Sequence, residues 1–182
     1  YMIMAAATAG DITVNQVIPE HLESLTAKLR ELGAIVEEKE ESIRVLGQSF
    51  YKPVDIKTFS YPGFPTDLQQ PFSILLTRAE GTSVVIDHVF PSRFYHIDEI
   101  RRMGAKVKVE GDNAIFEGPV ELEGAKVKMN DIRSGAALII AGLTADGLTE
   151  IDQIHHIDRG YEQIEQKLAS LGANIWRVTN EP

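Results

Sequence analysis

The sequence predicts an α/β (α+β) fold made from one supersecondary unit used three times, and two sets of glycines carry that reading. The segments AKLRELGAIV, DEIRRMGAKV and QKLASLGANI each pair an amphipathic helix with a terminal glycine, an alanine and a strand-forming run. Their glycines are Gly33, Gly104 and Gly172. A second set, Gly10, Gly81 and Gly147, lies upstream, each closing another helix and leading into a short strand: DITVN, TSVVID and LTEID. A helix C-terminus favours a left-handed residue, which accounts for glycine at these places without any functional message.

The elements follow in order. The first unit, about residues 1–50, opens inside a helix, continues through DITVN and a helix ending at Gly33, and closes with AIVEEKEESIRVL. That last segment reads as two extended runs around a solvated tip, EEKEES at 37–42. The middle unit, about 51–119, is complete: strand VDIKTF, a helix from Asp67, strand TSVVID, a helix from about Arg93, and the hairpin AKVKVEGDNAIFEG. The third, about 120–182, ends in a single strand, ANIWRV, whose Trp176 is expected to be core or a covering aromatic. The first unit lacks an opening strand and the third lacks a partner for its last one. The expectation is a single domain, residues 1–182, cut from a longer chain whose missing strands precede Tyr1.

Composition narrows the classes. With 182 residues, 43% hydrophobic and 25% charged, the chain can bury a real core. No apolar run reaches the roughly 18 residues of a membrane span, and YMIMAAATAG lacks a basic leader, so the expectation is a soluble, cytoplasmic protein with no membrane partner. The absence of cysteine excludes disulfides and thiolate chemistry within these residues. A net charge of -9 argues against nucleic acid as a partner. Any anionic ligand must therefore be held by a local cluster of cations.

Structural residues should recur in all three units, so the differences between units are where chemistry is sought. Twelve residues beyond the first glycine of each unit stand Leu22, Arg93 and Arg159. Arginine at a helix start opposes the helix dipole and needs a negative partner. Asp158 could supply it; so could an anionic ligand held by the guanidinium and free N–H groups, with Gly160 permitting close approach. At the start of the first helices, FPTDLQQPF places Asp67 and KMNDIRSGA places Asp131 at the matching position. Both suit ordinary helix N-termini. Pro62, Gly63 and Pro65, however, stiffen the approach to Asp67 as a positioned catalytic carboxylate would require. His155, His156 and Asp158, or His88 with His96, match no metal-ligand spacing, and the glycines form no nucleotide-binding motif.

At YPGFPTDLQ, NDIRSG, SRF and HIDRGYE the chain resembles the C-terminal half of the UDP-N-acetylglucosamine enolpyruvyl transferases (1-carboxyvinyltransferases), over essentially its whole length. The resemblance implies an inside-out α/β barrel domain of three βαβαββ repeat units, helices at the centre and sheets outside, here truncated at both outer units. It implies transfer of the enolpyruvyl group of phosphoenolpyruvate to the 3-hydroxyl of UDP-N-acetylglucosamine, with phosphate release, in peptidoglycan synthesis. Carried over by motif, Asp67 is the general base on the sugar hydroxyl, and Val89 of DHVF lies beside the same sugar with a backbone contact. Arg159 and Arg93 hold phosphoenolpyruvate, and Asp131 and Arg133 support the cleft. No metal and no cofactor are implied. The expected partner is the N-terminal catalytic domain; its reactive cysteine has no counterpart here, so this chain alone is expected to be inactive. A non-catalytic sugar-nucleotide-binding module, the sister enzyme of shikimate 3-phosphate, and self-association through open strand edges remain the alternatives.

Overall fold

The computed structural model describes residues 1–178. Along the chain run α1 (Met2–Ala7), β1 (Asp11–Asn15), a 3-10 turn (Pro19–Leu22), α2 (Glu23–Leu32), β2 (Ile35–Lys39) and β3 (Ser42–Leu46). Next come β4 (Ile56–Thr58), α3 (Thr66–Leu76), β5 (Gly81–Asp87), α4 (Ile97–Arg102), β6 (Lys106–Glu110) and β7 (Asn113–Gly118). The last group is β8 (Lys126–Lys128), α5 (Ile132–Thr144), β9 (Glu150–Asp152), α6 (His155–Asp158) and α7 (Ile164–Ser170).

A helix that is apolar on every side belongs in the interior. All of α1 is buried, as are Gln69 through Leu76 of α3 and Ser134 through Ala141 of α5, and these three helices pack on one another at the centre. The second helices bury one face only: Leu25, Leu29 and Leu32 of α2, Ile97 and Ile100 of α4, Ile164 and Leu168 of α7. Helices inside and sheets outside is the inverse of an ordinary α/β barrel, and it agrees with the expected inside-out architecture.

The sheets repeat as the units do. The first has order β1-β3-β2, all antiparallel; the middle one has order β4-β5-β7-β6, in which β5, β7 and β6 reproduce that pattern and β4 joins β5 in parallel. In the third unit only the parallel pair β8-β9 forms among the described residues. Each hairpin ends in a glycine pressed against the end of its central helix. A Cβ on Gly47 would run into the carbonyl oxygens of Ala5 and Ala6, and one on Gly118 into those of Ala79 and Thr77. Both strands can therefore close onto the helices only where no side chain exists.

Several expectations change. Gly33, Gly104 and Gly172 have the left-handed backbone anticipated, with φ of 118°, 97° and 96°, but near Gly10 it is Ala9, at φ 52°, that makes the turn. α4 starts at Ile97, not Arg93, because the chain from Asp87 to Phe94 is committed to tight turns: Asp87 accepts from the Val89 and Phe90 amides, and Arg93 N–H donates to the Phe90 carbonyl. Nor does a helix open at Arg159-Gly160. Arg159 closes the four-residue α6, and α7 begins five residues later after Gln163 at φ 46°. ANIWRV forms no strand, since no described segment offers it a ladder of hydrogen bonds, and Trp176 is exposed.

The central helices are the most completely buried elements of the fold, so their side chains should weigh heavily on stability. Phe72 is fully buried and meets Phe64 edge-on, with ring centroids 5.4 Å apart at 81°. Phe72→Ala is expected to cost about 3–5 kcal/mol in denaturant-induced unfolding. A loss below about 1 kcal/mol would mean that the centre is not packed as described.

His96 lies in this core rather than at a metal site. Its Nε2 is 2.7 Å from Ser73 Oγ, which itself donates to the Gln70 carbonyl, so the imidazole nitrogen is the donor. Among the described residues no group of three or more metal-ligating side chains occurs. Burial pushes the imidazole pKa down from 6.5 to about 3, against a smaller opposing effect of the Asp131 charge. Below pH 6.5 the unfolded chain takes up this proton while the folded one refuses it, so stability falls with pH through that window. His96→Leu should remove up to about 1.4 kcal/mol per pH unit from the slope of unfolding free energy between about pH 6 and 4. An unchanged slope would contradict it.

Candidate functional site

The loop before α3 is tied to itself before the helix starts: Phe59 N–H donates to the Phe64 carbonyl at 3.0 Å and Gly63 N–H to the Ser60 carbonyl at 2.9 Å. Pro65 is the N-cap and offers no side-chain cap; Thr66 and Asp67 are the first two helical residues. Pro71, inside the helix, has no N–H with which to engage the Asp67 carbonyl. In α5 the N-cap is Asp131, whose carboxylate accepts from Ser134 N–H at 2.7 Å while Ser134 Oγ accepts from Asp131 N–H at 2.9 Å, a complete capping box. Counting from the caps, the counterpart of Asp67 is therefore Arg133, not Asp131.

Those counterparts meet. Arg133 Nε donates to Asp67 Oδ1 at 2.5 Å, and its Nη1 lies 3.5 Å from Asp131 Oδ2. The Asp67 carboxylate raises the Arg133 guanidinium above its ordinary value. Arg93 Nη1 reaches the same Asp67 oxygen at 3.3 Å and Thr66 Oγ1 at 3.1 Å, with its guanidinium 3.6 Å above the Phe90 ring. Because Asp67 and Arg133 sit at corresponding places on their helices, α3 and α5 bring their N-termini together. Their dipoles add positive potential to the two guanidiniums at this end.

Asp67 keeps 65% of its side chain exposed although two arginines grip it, whereas Arg93 is only 12% exposed. An exposed ion pair contributes little to folding. The cluster is better matched to presenting one carboxylate oxygen and several N–H donors to a ligand than to holding the fold together.

Val89 borders the cluster: its N–H is used by Asp87 at 3.0 Å, which leaves its carbonyl for any backbone contact with a ligand. Arg159 is exposed and has no carboxylate partner among the described residues. Asp158 does not compensate it, being held instead by Arg177 at 2.6 and 3.0 Å, a pairing that lowers the Asp158 pKa. Gly160 lies against the tip of the Ile132 side chain at the start of α5, which a Cβ there would meet. That contact brings the Arg159 segment to the same end of the central helices.

Two residues escape the sequence reading. Tyr161 is half-buried; burial first, and then the charge of Asp67, raises its phenol pKa. Asp87 is fully buried and accepts four hydrogen bonds: Thr58 Oγ1 and Thr66 Oγ1, both at 2.6 Å, and the Val89 and Phe90 amides. Burial would raise its pKa, but these donors together bring it below the ordinary carboxylate value. A signal is available, because Ser83, Val85 and Asp87 alternate on the inward face of β5.

Sheets around three buried helices, with the guanidiniums of Arg93 and Arg133 and the N-termini of α3 and α5 gathered at one end, define the class: an inside-out α/β barrel domain. The chain belongs to the EPSP synthase (3-phosphoshikimate 1-carboxyvinyltransferase) family, whose pattern it matches over residues 1–168. It is 63% identical over 177 residues to UDP-N-acetylglucosamine 1-carboxyvinyltransferase 2 of Bacillus cereus, and 60% identical over 178 residues to the protein of that name in Bacillus subtilis (strain 168). Each match covers 97% of this chain, which spans about two-fifths of those relatives, 41% and 42%. Among solved structures, the enolpyruvyl transferase NikO from Streptomyces tendae superposes with a TM-score of 0.86 at 23% identity, over 94% of this chain and 41% of that one. EPSP synthase from Acinetobacter baumannii superposes at 0.60 with 19% identity, over 82% of this chain and 37% of that one. These two likenesses concern the fold. No helix among the described residues is long and apolar enough to cross a membrane.

Proposed function

We propose that this chain is one lobe, with residues 1–182 as a single domain, of a cytoplasmic bacterial transferase of peptidoglycan synthesis. It moves the enolpyruvyl group of phosphoenolpyruvate to the 3-hydroxyl of UDP-N-acetylglucosamine. The observation that carries this reading is the meeting of Asp67, Arg93 and Arg133 at the starts of α3 and α5, with the unpartnered Arg159 nearby. The names of the relatives favour the sugar nucleotide over shikimate 3-phosphate as acceptor.

In this reaction the sugar oxygen bonds to C2 of phosphoenolpyruvate as C3 gains a proton; loss of a C3 proton then expels phosphate and restores the double bond. The hydroxyl proton must leave as the C–O bond forms, and Asp67 is the exposed carboxylate available to take it. Arg133 and Arg93 fix the carboxylate so that its free lone pairs face the acceptor, and the Val89 carbonyl orients the sugar. Arg93 and Arg159 supply positive charge against the carboxylate and phosphate of the donor, while Asp131 caps the helix that aims Arg133. A second lobe would close the site and exclude water, and the lobe alone is expected not to turn over.

The test is phosphate release from phosphoenolpyruvate and UDP-N-acetylglucosamine by the polypeptide encoded by the whole reading frame, with Asp67→Asn and Arg159→Ala as controls. Release that collapses in both variants supports the reading. A folded protein that binds the sugar nucleotide but releases no phosphate would leave a binding module in its place.

A further inference from the structure

We propose that Asp87 and Thr66 form a positioning relay that aims Arg93, an inference that rests on the enolpyruvyl-transfer reading. Neither residue is needed to touch substrate. Asp87 is fully buried at the end of β5, under the start of α3. One of its oxygens accepts from Thr58 Oγ1 and from the amides of Val89 and Phe90; the other accepts from Thr66 Oγ1 at 2.6 Å. One carboxylate thus joins β4, the first residue of α3 and the turn that carries Val89 and leads to Arg93.

The direction of the Thr66 bond is set by chemistry. An ionised carboxylate only accepts, so the hydroxyl proton of Thr66 points at Asp87. The lone pairs of Thr66 Oγ1 then face away, and Arg93 Nη1 donates to them at 3.1 Å. The same Nη1 reaches Asp67 Oδ1 at 3.3 Å, so the group that fixes this nitrogen also fixes its distance from the proposed base. Below the guanidinium, the Phe90 ring lies 3.6 Å away, and Phe90 is itself held through its amide by Asp87. Asp87 therefore acts on Arg93 from two sides, through the hydroxyl of Thr66 and through the placement of the Phe90 ring. A fold-stabilising aspartate would need only the amide and Thr58 bonds. The additional bond through the residue adjoining Asp67 is what assigns a positioning role.

The variants are Thr66→Val, which keeps the shape and deletes the relay, Thr66→Ser, which restores the hydroxyl, and Arg93→Ala, each made in the whole-reading-frame protein. Thr66→Val leaves three donors on Asp87, so it is a milder test of folding than any change at Asp87 itself. We expect Thr66→Val to raise KM for phosphoenolpyruvate about tenfold with little change in KM for UDP-N-acetylglucosamine, and Thr66→Ser to recover most of the loss. In an Arg93→Ala background the valine substitution should add less than about twofold, because the relay would have nothing left to aim. Wild-type protein that releases phosphate while Thr66→Val matches it, or while the Thr66 and Arg93 losses multiply independently, overturns the relay alone. Wild-type protein that releases none overturns the enolpyruvyl-transfer reading and the relay together.

Discussion

Asp67→Asn is expected to lower the phosphate-release kcat of the whole-reading-frame protein by about 10²- to 10⁴-fold, the range that a positioned general base contributes. The substitution isolates chemistry from geometry. The asparagine carbonyl oxygen can still accept from Arg133 Nε and Arg93 Nη1, the two groups that now share Oδ1. What disappears is the ability to take up a proton. Folding should hardly notice, since an ion pair on a carboxylate 65% exposed contributes about 0–1 kcal/mol. Steady-state phosphate assays paired with thermal unfolding read the two effects separately. A variant that retains kcat within about tenfold would remove Asp67 from the role of base.

How much of this is legible in the sequence depends on whether a feature is periodic or relational. The three units are readable because a helix ending in a left-handed glycine leaves a local pattern, and that pattern recurs at Gly33, Gly104 and Gly172, although among the described residues a strand follows only the first two. The starts of α4 and α7 differ from the sequence expectation for a relational reason. Nothing local reveals that Asp87 will capture the Val89 and Phe90 amides and hold the following residues in turns until Ile97. Asp131 is legible as a helix cap, but its equivalence to Pro65 rather than Asp67 depends on which residue of each unit makes the cap. The pairing of Asp67 with Arg133 joins residues on different units, so no spacing rule could find it. Asp87 is the instructive omission: a charged residue in the inward register of a strand is costly unless satisfied, and that cost alone could have marked it.

Arg159 and Arg177 provide the second large effect, because they are neighbours in the fold with opposite expected phenotypes. Arg177 is engaged on both sides, by Asp158 at 2.6 and 3.0 Å and by Glu165 at 3.1 Å. Its pKa is raised, with the Asp158 bond as the leading cause. Arg159 has no such partner among the described residues, although its segment is anchored by Gly160 against Ile132 at the start of α5. A guanidinium left exposed with no carboxylate partner among the described residues has its binding capacity unspent. Hydrogen bonds to a charged ligand contribute about 1.5–3 kcal/mol each, so Arg159→Ala is expected to raise KM for phosphoenolpyruvate about 10- to 150-fold. Its unfolding midpoint should stay where the wild type has it. Arg159→Lys should recover only part of the loss, since an ammonium keeps the charge but not the planar fork that pairs with carboxylate or phosphate. Arg177→Ala should do the reverse, freeing Asp158 and Glu165 at a cost of about 0–1 kcal/mol in stability with KM for phosphoenolpyruvate nearly unchanged. If both alanine variants shifted KM equally, the freed Asp158 would be acting on the same anion, and Arg159 would lose its separate role.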